Sequence, residues 1–242
     1  TPLEHRGLYL VWLAFPVDRL AAPETYYSPD ARHCFGRVSE PQNYSPALRR
    51  PGETILELEG GRGWYSRILS EAIGPSGKLY AQYPPEFAYG DAAYKGRQDA
   101  GQLKNTTIVK SHFDDYSAIP DASVDKVIWI LGPHEIYFTP QNAPGGLGGE
   151  AKTYSEIKRV LKPGGLFIAM DHAAPAGEDK KASAQTNHRV DPAVILAAAK
   201  AGGFTYVSKS DVLANPQDDR TKRAFDPTVR RHTDQFLFTF RK

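Results

Sequence analysis

Short apolar runs alternate with longer amphipathic stretches from Pro51 onward, and this alternation predicts an α/β domain. Seven segments have the length and composition of strands: 54–59, 78–81, 106–109, 124–131, 166–170, 204–212 and 235–240. Helical patterns cover 64–73, 88–103, 152–161 and 192–201. Strands that alternate with helices along a chain indicate a mostly parallel sheet covered by helices.

Residues 1–50 lack this alternation. Prolines are too frequent there for long regular elements, and the segment is rich in aromatic residues such as Trp12, Tyr26 and Tyr27. We expect residues 1–50 to form an irregular aromatic arm on a main domain at 51–242. The arm is either a plain packing element or a lid over a site.

Composition excludes several classes of protein. The chain has 242 residues and a formal net charge of +2, which argues against a dedicated nucleic-acid binder. Its one cysteine, Cys34, has no partner for a disulfide scaffold. The apolar run from Leu8 to Phe15 is too short to span a membrane. The visible chain carries no secretory signal, so we favour the cytoplasm. Because it begins with Thr1 and not Met, we keep the periplasm open, should an export signal have been removed. The oligomeric state stays open, a homodimer included.

The segment from Glu57 to Trp64 is the first motif that carries chemistry. A strand runs into a glycine turn that opens a helix, so Gly61 and Gly63 let the backbone approach a ligand closely. The helix N-terminus adds free N–H groups. Glu57 is expected to bond a ligand amine or to hold the loop. A plain glycine turn is the alternative.

The segment from Glu156 to Gly165 is the second motif, a helix ended by Pro-Gly-Gly and followed by a strand. Three segments occur in a characteristic order: the glycine loop, residues 120–125 before an apolar strand, and this second motif. Together they resemble the class I S-adenosylmethionine-dependent methyltransferases. The resemblance covers residues 51–242. Segments beginning at Trp64, Asp171, Val212 and Thr233 are similar to a bacterial group of predicted methyltransferases whose substrate is not established.

The resemblance implies a Rossmann-like seven-stranded sheet of order 3-2-1-4-5-7-6, with strand 7 antiparallel and helices on both faces. It implies S-adenosylmethionine as the cofactor, bound across the carboxyl ends of strands 1, 2 and 4, and methyl transfer to a small molecule. The alternative is a methyltransferase fold without methyl transfer, either a cyclase or lyase or a small-molecule-binding protein, because fold alone does not fix function.

The same resemblance assigns the cofactor-binding positions. These are Glu57, Glu59, Gly60, Gly61, Gly63, Gln82, Tyr83 and Asp114. Two positions depart from the family pattern. Glu59 stands where the first loop glycine is usual, and Gln82-Tyr83 stand where an acid usually binds both ribose hydroxyls. Glu86 in the following loop is a second candidate for the ribose, and Asp115 is an alternative to Asp114 for the adenine.

The acceptor side is predicted after strands 4 and 5. His134, Asp171 and His172 are the catalytic candidates, a histidine acting as base and Asp171 orienting it. Glu135 and Tyr137 lie beside them, and His188 is placed to join them. The alternative is that the histidines only cap strand ends. A metal site is a further interpretation, because His134, Asp171, His172 and His188 have ligand chemistry for zinc, iron or manganese. Asp171 and His172 point to opposite faces if they lie in a strand, and no compact ligand motif is present, so we predict no metal site.

Residues 211–223 are polar and charge-mixed, and a basic cluster follows at 230–232. They predict a long hairpin loop before the last strand. A solvated loop is the simpler expectation, and a flap that binds an acidic group of the substrate is the alternative.

Overall fold

The computed structural model describes Tyr26–Tyr27, Arg37–Val38 and residues 51–242. The two short segments pair as antiparallel strands. The remainder of the arm or lid expected over residues 1–50 lies outside the described residues, so its role stays a prediction.

A seven-stranded sheet organises residues 51–242. Its strands in chain order are β1 (Thr54–Leu58), β2 (Lys78–Tyr83), β3 (Thr106–Lys110), β4 (Val124–Ile130), β5 (Leu161–His172), β6 (Thr205–Ser210) and β7 (Gln235–Arg241). Their spatial order is β3-β2-β1-β4-β5-β7-β6. The first five strands pair in parallel, and β7 is antiparallel to both β5 and β6. The predicted topology is therefore confirmed.

Five α-helices and one 3-10 helix connect the described strands. The α-helices are α1 (Trp64–Ile73), α2 (Tyr89–Asp99), α3 (Glu150–Val160), α4 (Lys180–Asn187) and α5 (Pro192–Ala201), and the 3-10 helix is Pro133–Ile136. Helices α1 and α5 have the predicted bounds. Helix α4 and the 3-10 helix were not predicted, because both are short and α4 has no apolar stripe. Asp179 caps α4 by accepting the N–H groups of Lys181 and Ala182.

Consecutive residues of the central strands face opposite sides of the sheet, as the two-residue period of a strand requires. Val127 and Trp129 belong to the larger core, which packs against α3 and α5. Ile128 between them belongs to a second core, which packs against α1. Both faces of the sheet are thus covered, and ligand access is left to its edges.

The Pro-Gly-Gly segment predicted to separate α3 from β5 lies inside β5, which follows α3 directly. Leu161 already pairs with Val124, the register then shifts, and Leu166 pairs with Lys126. Strand β5 therefore begins earlier than the predicted residue 166 and ends later, at His172. The longer strand carries Asp171 and His172 to the carboxyl edge, where β1, β2 and β4 also end. No helix in the described ranges has the length and hydrophobicity needed to cross a membrane.

Candidate active site

The chain turns sharply after β1. Glu59, Gly61 and Gly63 have φ values of +52°, +56° and +71°, all in the left-handed region. Helix α1 begins at Trp64 without a side-chain cap. The loop N–H groups of Glu59, Gly60 and Gly63 are already bonded to Gln82 or within the loop. The N–H groups of the first helical turn are therefore the ones that can bind a polar or anionic group at the carboxyl edge of the sheet.

Glu57 lies buried beneath this loop. Its carboxylate accepts a hydrogen bond from Ser66 Oγ, which also lies 2.6 Å from the Tyr94 hydroxyl. Burial raises the pKa of Glu57 to about 7, although the Ser66 bond and Arg97 act in the opposite direction. A Cβ at Gly60 would overlap the Tyr94 hydroxyl, so this glycine is required by space. Of the two roles expected for Glu57, these contacts support holding the loop.

Gln82 and Tyr83 are fixed by contacts within the protein. The N–H of Glu59 donates to Gln82 Oε1 at 3.1 Å, and Gln82 Nε2 donates to the carbonyl of Ser111 at 2.6 Å. The Tyr83 hydroxyl donates to Asp91 at 2.6 Å. Gln82 therefore ties the glycine loop to the end of β3, a role that sequence reasoning missed.

Glu86 and Asp114 offer carboxylates nearer the rim. Glu86 Oε1 lies 2.9 Å from His112 Nε2, which lowers the pKa of Glu86 despite its burial. Its second oxygen, Oε2, is buried and has no hydrogen-bond partner among the described residues. Asp114 Oδ2 accepts the N–H of Gly149 at 3.0 Å.

The side chain of Glu59 extends from the glycine loop to the end of β4. A Cβ at Gly132 would overlap both Glu59 Oε2 and Trp129 Nε1, so both atoms border the same small space. Neither atom has a hydrogen-bond partner by geometry in the described part of the chain. Burial, followed by the charge of Glu135, raises the pKa of Glu59 well above its usual range. The Trp129 indole acts on the pKa of Glu59 in the opposite direction, so the two side chains interact although no pair of their atoms meets hydrogen-bond geometry, and both border the same small buried space.

Asp171 and His134 form the central pair of the site. Asp171 Oδ2 accepts the backbone N–H of His134 at 2.7 Å and lies 2.9 Å from its Nδ1. Burial lowers the pKa of His134, but Asp171 and Glu135 outweigh it and raise the pKa well above the usual value. His134 therefore keeps both ring protons near neutral pH, and its Nε2–H points away from Asp171.

Glu135 and His188 lie at the far side of the His134 ring. His134 Nε2 is 3.3 Å from Glu135 Oε1 and 3.3 Å from His188 Nδ1, and these last two atoms are 4.0 Å apart. His188 ends α4 in a left-handed conformation, which turns its ring toward His134. Burial, aided by the charge of His134, lowers the pKa of His188 to about 4. Arg223 Nη2 lies 3.2 Å from His188 Nε2.

His172 does not join this cluster. Its Nδ1 lies 2.7 Å from Thr233 Oγ1, on the opposite side of β5 from the Asp171 bonds. Burial lowers the pKa of His172 to about 4. Tyr137 also points elsewhere, because its hydroxyl donates to Glu150 at 2.5 Å. Of the three catalytic candidates, the structure brings His134 and Asp171 together and leaves His172 apart.

The loop before β7 is anchored rather than freely solvated. Arg189 directly follows His188 in the chain. Asp218 of the loop forms a fully buried ion pair with Arg189, at 2.8 Å. The same loop places Arg223 against His188, and the Phe225 ring packs 5.0 Å from the His188 ring. Most residues of 211–223 are exposed, as expected for a solvated loop, while Asp218 and Arg223 hold the loop against the site; a role as a flap that binds substrate stays a prediction.

Trp129 and Arg223 are further site residues that sequence reasoning missed. Trp129 sits in an apolar strand, where an indole is expected in the core. Arg223 sits in a charge-mixed loop, which carries no local signal that one of its side chains contacts the site.

Comparison with known proteins agrees with this architecture. No family model matches the chain. A ubiquinone/menaquinone biosynthesis C-methyltransferase UbiE of Escherichia fergusonii is 23% identical over 192 residues, which cover 78% of this chain and 71% of the relative. The UbiE of Cronobacter sakazakii is 25% identical, with 72% of this chain and 64% of the relative covered. The chain thus spans about two thirds of these curated relatives.

Solved structures share the fold. An S-adenosylmethionine-dependent methyltransferase from Aquifex aeolicus matches with a TM-score of 0.56 at 20% identity, over 80% of this chain and 84% of that one. The cyclase SpnF matches with a TM-score of 0.57 at 15% identity, over 99% of this chain and 92% of that one. Strand order, the antiparallel last strand and these likenesses confirm that the chain has the class I S-adenosylmethionine-dependent methyltransferase fold and is related in sequence to enzymes of that family.

Proposed function

We propose that the protein is an S-adenosylmethionine-dependent methyltransferase that acts on a small molecule. The observation that carries the proposal is the placement of the left-handed glycine loop directly beside buried polar atoms that lack partners, Glu59 Oε2 and Trp129 Nε1. Buried polar groups are normally satisfied, so such atoms at the switch point of an α/β sheet indicate a ligand site.

The residues present fit this cofactor. Gly61 would let the loop backbone approach the polar end of the cofactor, and the first turn of α1 would hold that end by backbone N–H groups, with Glu59 and Trp129 beside them. Glu86 Oε2 is a buried acceptor available to the ribose hydroxyls, since Gln82 is already used within the protein. Asp114 is the proposed contact to the adenine. When bound, S-adenosylmethionine supplies an electrophilic methyl group on a sulfonium.

Glu57, Gln82 and Tyr83 contribute by shaping the site. Glu57 holds the start of α1 through Ser66, and Gln82 holds the N–H of Glu59. Tyr83 stacks on Tyr94 with ring centroids 5.4 Å apart. These contacts fix the loop before the cofactor arrives, which reduces the ordering cost of binding.

His134 and Asp171 would serve the acceptor. Because Asp171 and Glu135 raise its pKa, the His134 imidazole keeps a proton on Nε2 and donates it as a charged hydrogen bond. An acceptor hydroxyl that has released its proton to solvent would be held next to Nε2 as an anion, which is the nucleophilic form. His134 thus acts as a charged donor, where the sequence suggested a base.

The alternative of a non-methylating enzyme has one specific observation in its favour. The cyclase SpnF matches almost the whole chain, and Glu59 stands where the family usually has a glycine. Under this alternative the cofactor binds but no methyl group is transferred.

The test is a transfer assay with the full chain and S-adenosylmethionine labelled in the methyl group. The acceptor panel holds phenols, quinols, carboxylic acids and amines. Quinols are included because the curated relatives are named for ubiquinone and menaquinone biosynthesis. Acceptor-dependent formation of S-adenosylhomocysteine and a labelled product supports the proposal. Cofactor binding without transfer to any acceptor class supports the alternative.

A further inference from the structure

A compact set of potential ligands lies on the acceptor side of the site. His134 Nε2, Glu135 Oε1 and His188 Nδ1 are separated by 3.3, 3.3 and 4.0 Å. All three residues are buried. Two ligands that each lie about 2.05 Å from a tetrahedral ion are about 3.3 Å apart, so the first two separations match a metal-bound geometry.

The environment of these atoms also suits an ion. Asp171 lies 2.9 Å from Nδ1 of His134, which directs Nε2 outward and raises its basicity, as carboxylates do for metal-bound histidines. Glu135 Oε2 is buried and has no hydrogen-bond partner in the described ranges, so a second carboxylate oxygen is available.

We propose that His134, Glu135 and His188 bind one divalent transition-metal ion through two imidazole nitrogens and a carboxylate. This donor set is typical of catalytic zinc and non-haem iron sites, which keep an open coordination position. The set differs from the one considered from sequence, because Glu135 replaces Asp171 and His172. The proposal stands on this cluster alone and does not depend on the bound cofactor.

The ion would replace the proton on His134 Nε2. Both place positive charge at the point where an acceptor oxygen would become an anion. An open coordination position therefore favours acceptors with a hydroxyl or enol oxygen, whose proton the ion would acidify. Amine acceptors would gain less, because their nucleophilic form is neutral.

Arg223 opposes binding of the ion. It donates to His188 Nε2 at 3.2 Å, which requires a lone pair on that nitrogen. An ion on Nδ1 requires the proton to be on Nε2 instead, so Arg223 has to turn away. The Arg223 side chain is exposed and belongs to the loop before β7, so it has room to move. The hydrogen bond from Arg223 thus competes with the ion and weakens metal affinity.

The experiment uses the full chain after removal of metals with a chelator. Zn²⁺ is titrated by calorimetry, and Co²⁺ is titrated by its visible absorption, which reports nitrogen ligands. We expect one ion per chain with micromolar affinity or tighter. His188→Gln and Glu135→Gln should each weaken binding by about 100-fold, and Asp171→Asn by about 10- to 100-fold. Arg223→Gln should tighten it.

His232→Gln, which removes an exposed histidine outside the cluster, is the matched control and should leave affinity unchanged. Far-ultraviolet circular dichroism checks that each variant is folded, and Glu135→Gln keeps the side-chain shape should His188→Gln unfold. No binding up to millimolar ion overturns the proposal. Binding that is unaffected in both Glu135→Gln and His188→Gln also overturns it. Cofactor titration of the metal-free protein reports separately on the proposed methyl transfer.

Discussion

The carboxylate of Asp171 holds His134 at two points, the backbone N–H at 2.7 Å and ring Nδ1 at 2.9 Å. One side chain at the end of β5 thereby fixes both the 3-10 helix after β4 and the orientation of an imidazole. The neighbouring His172 faces the other side of β5 and bonds Thr233 instead. The alternation of a strand thus separates two residues that are adjacent in sequence.

Asp171→Asn should lower methyl transfer by at least about 100-fold, because the amide cannot stabilise the imidazolium of His134. Cofactor affinity should change little. The measurement is the rate of S-adenosylhomocysteine formation at saturating cofactor. Asp125→Asn, at the opposite edge of the sheet, is the matched control and should keep the rate. Equal losses in both variants would contradict the role given to Asp171.

Gly61→Val should weaken cofactor binding by roughly 100-fold, or about 2.7 kcal/mol, because the new side chain fills the space beside the loop. An added Cβ there meets nothing closer than 3.8 Å, so the valine overlaps no neighbouring atom, although a side chain at φ +56° strains the backbone. Gly164→Val is the control: Gly164 has φ +76°, open space and a place far from the site. Calorimetric titration of both variants with S-adenosylmethionine should show weaker binding only in Gly61→Val. Unchanged cofactor affinity in that variant would place the cofactor elsewhere.

Glu59→Gly should raise the free energy of unfolding by about 1 kcal/mol, because glycine relieves the left-handed backbone and removes a buried carboxyl without a partner. Glu59→Ala is the matched control, since it removes the carboxyl but keeps the backbone strain. Urea unfolding should therefore give Glu59→Gly a higher free energy of unfolding than Glu59→Ala. The reverse order would show that position 59 is not strained.

Glu57 should make stability depend on pH. The pKa of Glu57 is about 7 in the folded protein and 4.5 in the unfolded chain. Between these two pH values the folded state keeps a proton on Glu57 that the unfolded state loses. Stability from this group is full below about pH 4.5 and falls as pH rises to about 7, by up to about 3 kcal/mol. Glu57→Gln stays neutral and should remove this dependence.

Urea unfolding of wild type and Glu57→Gln at pH 5 and pH 8 checks this expectation. The variant should gain stability relative to wild type at pH 8 and show a smaller gain, or none, at pH 5. A stability difference that is the same at both pH values would show that Glu57 ionises normally inside the fold.

Hydrophobic patterning was sufficient to predict the sheet. Strands such as β4 are largely apolar because both faces of the sheet are covered. Helix α1 begins after Gly63 and ends at Gly74, and helix α5 begins after Asp191 and ends at Gly202, so both have clear start and stop signals. Strand order came from the motif resemblance, because a strand pattern does not specify its neighbours. The short polar helix α4 carries no such signal, and its cap at Asp179 depends on one side chain.

The site was only partly predictable. Residues at or just after strand ends, such as Glu57, His134 and Asp171, could be listed because parallel strands bring their carboxyl ends to one edge. Their contacts could not be listed, since Gln82 is used by Ser111 and Glu59 N–H, and His188 arrives from a separate helix. Arg223 reaches the site only because the buried Arg189–Asp218 pair anchors its loop. Such long-range contacts have no local sequence signature.

The most direct test of the account is calorimetric titration of the folded full chain with S-adenosylmethionine and S-adenosylhomocysteine. We predict binding of both at one molecule per chain with micromolar affinity. Absence of binding up to millimolar ligand would contradict the account, because the left-handed loop and the unpartnered Glu59 and Trp129 atoms would then serve some other ligand.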